Sequence, residues 1–194
     1  MISRALRRFS LFQLVILALV AALGVASKPV VVPLAHMITG PLMIPGGVLA
    51  GGFYMLWIVL GAGLMDRRGG GTLISLVQAI LIVSLGLYGT HGIVSFLTYL
   101  APGLAVDLVF WPGGRWRGSS LAFFTAGLMA NICGSYLVNL VFFRLPWIPL
   151  LLSLSTAALS GGLGGLIAYA VVHKLRQTGL MGLGVSENDK SSVE

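Results

Sequence analysis

Three polar side chains recur four residues apart in an otherwise apolar stretch: Asn131, Ser135 and Asn139. Four residues advance an α-helix by about 400°, so the three share one face, drifting about 40° per step. Two amides and a hydroxyl on one apolar helix need partners, from other helices or from a bound molecule. Further groups of similar chemistry are His36 and Thr39 in a proline-rich segment, Tyr88 and His91 around a short glycine-bearing turn, Tyr99, Trp147 and Gln78. Together these types can hydrogen-bond and stack, which suits capture of a small, flat, nearly uncharged molecule rather than an ion. Each also has a plainer use: the aromatics as interfacial belt residues, the histidines as solvated loop residues, the amides as bonds between helices.

Bond-making chemistry has little to work with. The sequence contains no Gly-x4-Gly-Lys-Ser/Thr phosphate loop, no His-Glu-x-x-His pair, no paired intramembrane carboxylates and no visible nucleophile–base pair, so an enzyme is not expected. His36 and His91 lack an evident third ligand, and Cys133 is the single cysteine, so neither a metal site, a cofactor nor an intrachain disulfide is expected.

The elements that must position these residues follow from hydropathy. Of 194 residues, 57% are hydrophobic and 9% charged, and the mean hydropathy is +1.00. A soluble domain carries about 25% charged residues, so an all-α polytopic membrane protein is expected. A spanning helix needs about 20 mostly apolar residues. Six stretches qualify: Phe9–Ser27, Ile44–Met65, Thr72–Tyr88, Ile93–Trp111, Ser119–Phe143 and Trp147–His173. They form one substrate-binding domain over residues 1–178, followed by a polar, disordered cytoplasmic tail over 179–194.

Charge gives the orientation. With the N-terminus inside, the inner junctions receive Arg4, Arg7 and Arg8, then Arg67 and Arg68, Arg115 and Arg117, and Lys174 and Arg176; the outer side receives Lys28 and Arg144. That is the positive-inside pattern, with both termini cytoplasmic and the plasma membrane as the location. The net charge of +7 is explained by this topology, with no nucleic-acid partner. Cleavage of a signal peptide after Ala26 is the alternative, leaving five spans, although its 19-residue apolar run exceeds the usual length of about 7–15. The outer link from Lys28 to Met43 contains Pro29, Pro33 and Pro41, a density expected to prevent a regular helix.

Three other features concern packing. Asp107 is the one acid within a span, about a turn from the inner end and near Arg115 and Arg117; an interfacial ion pair that fixes helix ends, or a partner contact, are its two readings. Gly161, Gly162, Gly164 and Gly165 allow close helix approach. Ala18, Ala22 and Ala26 form a small-residue stripe on the first span, for packing within the chain or for docking a separate membrane subunit.

This pattern resembles the S-components of energy-coupling factor (ECF) transporters, most closely the thiamine/hydroxymethylpyrimidine type. The resemblance runs from about Gly40 to Gly134 and includes Gly40-Pro41, Pro45-Gly46-Gly47, Trp57, Arg68-x-Gly70, Gly86-x-x-Gly89, Gly92, Asp107-Leu108 and Ala126-Gly127. It implies a subunit that captures a vitamin at the outer face and docks through Ala18, Ala22 and Ala26 onto a transmembrane coupling protein, with paired cytoplasmic ATPases in separate chains. No acidic residue stands in the outer half to pair with a thiazolium; cation–π contact from Tyr88, Tyr99 or Trp147 would have to substitute. A neutral pyrimidine or another uncharged vitamin fits the same groups. An autonomous permease or channel, and a structural or assembly subunit, are the rival classes.

Overall fold

A computed structural model describes residues 10–42, 45–65, 67–86 and 94–178. Tyr88, His91, the turn that carries them, the basic N-terminal residues and the tail from residue 179 lie outside the described residues. Among the described residues the secondary structure is entirely helical. The order is α1 (Leu11–Ala26), α2 (Lys28–Thr39) with a 3-10 turn (Gly40–Leu42), α3 (Gly46–Met65), α4 (Gly70–Ser84), α5 (Val94–Val109), the one-turn α6 (Gly114–Arg117), α7 (Ser120–Val138) ending in a π-turn (Asn139–Phe143), and α8 (Trp147–Gln177).

Four stretches are long and apolar enough to cross a membrane: Leu11–Thr39, Gly46–Met65, Ser120–Phe143 and Trp147–Gln177; Gly70–Ser84 and Phe96–Val109 are shorter apolar helices. Large apolar side chains such as Leu11, Leu19, Met37, Leu108 and Leu163 stand exposed around the bundle, which suits lipid as the surrounding medium.

The expectation that proline breaks up the link after the first span is corrected: Lys28–Thr39 is an α-helix. Pro29 falls in its first turn, where the missing N–H has no intrahelical partner to lose, and Pro33 removes a single further bond. Ser27 separates the two helices, and Val30 and Val31 donate to its carbonyl at 3.3 and 3.1 Å. The result is a second helix laid on α3.

Helix α3 is the hub, touching α1, α2, α4, α5, α7 and α8, while α4 and α5 pack as a pair. Small residues permit this. The backbone of Gly127 on α7 meets that of Gly161 on α8, and Gly164 meets Gly52 on α3, so closely that a Cβ at any of these positions would collide. Ser160 donates to the Leu49 carbonyl and accepts from the Gly52 N–H.

The apolar core lies towards the end that carries the basic residues. It gathers Val59, Ala62, Met65, Ile74, Val106, Phe110, Phe123, Ala126 and Ala168, with Phe110 and Phe123 edge-to-face at 5.1 Å. At that end the Arg117 guanidinium donates to the carbonyls of Ala62 (2.9 Å) and Arg67 (2.8 Å), and Arg176 donates to Gly63 at 2.8 Å. Cations here satisfy C-terminal carbonyls of α3. The Asp107 carboxylate accepts from the backbone N–H groups of Gly71 (3.0 Å) and Thr72 (2.7 Å) and from the Thr72 hydroxyl. It thus fixes a helix end, as one reading expected, by accepting N–H and hydroxyl hydrogen bonds at the N-terminus of α4.

Candidate functional site

At the opposite end of the bundle the helices enclose a cavity of about 300 Å³, at the lower end of the range of small-molecule sites. One wall is a face of α3: Gly47, Val48, Gly51, Tyr54, Met55 and Ile58 recur at helical spacing. Asn131, Gly134, Ser135, Val138 and Asn139 of α7 supply another wall, with Gln78 from α4, Thr98, Tyr99 and Pro102 from α5, and Leu150, Ser153 and Leu154 from α8. Lys28, Val32 and His36 reach it from α2. The His36 ring sits so tightly on the start of α3 that a Cβ on Gly46 would come within 2.8 Å of it.

The polar face anticipated on α7 does line this cavity, and part of its hydrogen bonding is already spent inside the protein. The Asn131 amide is 1% exposed and donates to Val48 O at 3.1 Å and Ala157 O at 2.9 Å, tying α7 to both α3 and α8. Asn139 Oδ1 accepts from the Leu145 N–H at 2.9 Å, while its carbonyl accepts from Arg144 N at 2.8 Å. These bonds close the π-turn, whose end places Arg144 in the left-handed region at φ 46°. Ser135 is half-buried between them.

Of the other expected residues, His36, Gln78 and Tyr99 also line the cavity. Thr39 and Trp147 do not. Thr39 is buried and turns its hydroxyl back to Ala35 O at 2.9 Å; Trp147, in the first turn of α8, is 72% exposed. Ala18, Ala22 and Ala26 all lie on the exposed face of α1, opposite the buried Leu17, Val20, Ala21, Gly24 and Val25.

Sequence reading missed Lys28, Tyr54, Thr98 and Ser153. Lys28 counts there as a lone outer charge; here its Nζ lies 3.7 Å from the Tyr99 ring centroid and 5.0 Å from that of Tyr54, geometry suited to cation–π attraction. The helical spacing of Gly47, Gly51 and Tyr54 was the available signal for the α3 wall. The Tyr54 hydroxyl and the Gln78 Nε2 are buried without a hydrogen-bond partner among the described residues.

The chain is similar to a solved structure described as an S-component of an ECF transporter, at 20% identity over 95% of each chain, with a TM-score of 0.74. That likeness shows the S-component fold. No curated protein matches the sequence. A family model described as "ABC-type cobalt transport system, permease component" matches residues 12–133, well over half of the chain. The protein is therefore a multi-pass membrane protein of transport, and it belongs to the family of permease components of ABC-type cobalt transport systems.

Proposed function

We propose that the protein is the substrate-capture subunit of an ECF-type ABC importer for a vitamin or vitamin precursor. The observation that carries this reading is the cavity, set within an S-component fold at the end of the bundle opposite Arg117 and Arg176. Six membrane crossings, with α1 and α2 as one of them and both termini in the cytoplasm, would turn this cavity to the outer face of the plasma membrane. The exposed Ala18, Ala22 and Ala26 give α1 a low-relief face on which a transmembrane coupling protein can sit closely. Separate ATPases would supply the energy, in keeping with the lack of a phosphate loop in this sequence.

The family's description names cobalt. A dehydrated transition-metal ion needs several imidazole, thiolate or carboxylate ligands. Among the described residues no group of three or more His, Cys, Asp or Glu comes together, and the cavity lining includes one imidazole and no carboxylate. An organic ring compound is the better match, with thiamine or its hydroxymethylpyrimidine precursor as the first guess.

Isothermal titration of the detergent-purified chain with thiamine, hydroxymethylpyrimidine, a panel of other vitamins and cobalt(II) chloride tests the reading. Submicromolar binding of one organic compound, with no partner present, is expected. Binding of cobalt alone would replace the cargo, and no binding by folded protein would move the permease and assembly readings ahead.

A further inference from the structure

We propose that Lys28 makes the cavity selective for small ring compounds that carry an anionic group, a carboxylate or a phosphate. The inference rests on the substrate-capture reading and narrows its cargo, moving thiamine, a cation, and neutral hydroxymethylpyrimidine behind ring compounds that bear a carboxylate or phosphate.

Lys28 is the one Lys, Arg, Asp or Glu in the cavity lining. It stands where Ser27 interrupts the α1–α2 helix, so its side chain enters at the junction between the span and the helix laid over α3. The ammonium rests on the rings of Tyr99 and Tyr54; among the described residues, no carboxylate faces it. Asp107, the sole acid among those residues, is at the other end of the bundle and bound to the N-terminus of α4. Ring faces attract a cation yet leave its positive charge uncompensated.

Two consequences follow from electrostatics. In a cleft with low-dielectric walls a fixed charge acts more strongly than in water. A divalent ion or a thiazolium would enter against that charge, with no counter-charge in the lining to offset it. An anion would gain a charge-assisted hydrogen bond from Nζ. The volume of about 300 Å³ and the aromatic wall suit one ring with one such substituent.

The test uses full-length protein in detergent and matched probes that differ in charge: nicotinate against nicotinamide, and hydroxymethylpyrimidine phosphate against hydroxymethylpyrimidine, with thiamine and cobalt(II) chloride as cations. In at least one pair the anion is expected to bind about ten- to hundredfold more tightly than its neutral partner. Lys28→Met should erase that preference, whereas Lys28→Arg should keep it. Lys28→Gln serves if the Met variant does not give a folded protein by circular dichroism. Tighter binding of the neutral or cationic member, or a preference that survives loss of the charge, would overturn the inference while leaving substrate capture standing. Silence from every probe in folded protein would count against both.

Discussion

The Asn131 carboxamide illustrates how a residue can border a cavity and still be occupied elsewhere. Its two N–H bonds go to carbonyls on α3 and α8, so Asn131→Ala strands both acceptors in the interior. A loss of about 1–2 kcal/mol is expected, read as a lower midpoint of thermal unfolding in detergent. Weaker ligand binding should accompany that loss as a consequence of a loosened wall. If affinity falls while thermal stability is unchanged, the amide belongs to the ligand and the structural bonds are dispensable. Asn139 is a similar case, since its side chain holds the π-turn that leads into α8. Lys28 rests on aromatic rings, and the Tyr54 hydroxyl and Gln78 Nε2 have no hydrogen-bond partner among the described residues.

At the scale of elements, α1 and α2 do different work along one hydrophobic stretch. The buried edge of α1, Leu17 to Val25, packs on α3 and α4, and its opposite edge presents Ala18, Ala22 and Ala26. Replacing Ala22 with Trp should abolish uptake in a reconstituted system that contains the coupling protein and ATPases, with ligand affinity of the isolated chain unchanged. Normal uptake by that variant would remove α1 from the docking role. Helix α2 instead covers α3, with His36 and Val32 over the cavity. Its prolines allow this, because one lies in the first turn and the other costs one backbone bond.

Over the whole molecule the two ends are built for opposite purposes. Large apolar side chains fill the end that carries Arg117 and Arg176, and their guanidinium groups bind the carbonyls at the end of α3. The other end leaves a cavity of about 300 Å³ between α3, α7 and their neighbours. The proposed orientation predicts a specific labelling pattern in a Cys133→Ser background. Cysteine at Trp147 should react with a membrane-impermeant maleimide in intact cells, and cysteine at Thr178 only after permeabilisation. The reverse pattern would turn the bundle over and put the cavity inside.

Much of this was legible from residue order alone. Apolar runs and basic clusters mark out the helices and distinguish the two ends, because lipid and backbone hydrogen bonding act on each segment separately. The i, i+4, i+8 pattern of Asn131, Ser135 and Asn139 places them on one face for the same local reason. The fate of each polar atom was not legible, since it depends on which helices become neighbours. Thr39 turns back on its own helix and Trp147 faces outward although both belong to the expected end. Asp107 meets α4, and Lys28 changes from a topological marker into the one charge facing the cavity. Sequence determined the membrane helices and their polar faces, because those depend on neighbours along the chain; only the tertiary structure decided which of those groups were consumed in packing and which were left to meet a ligand, because that depends on neighbours in space.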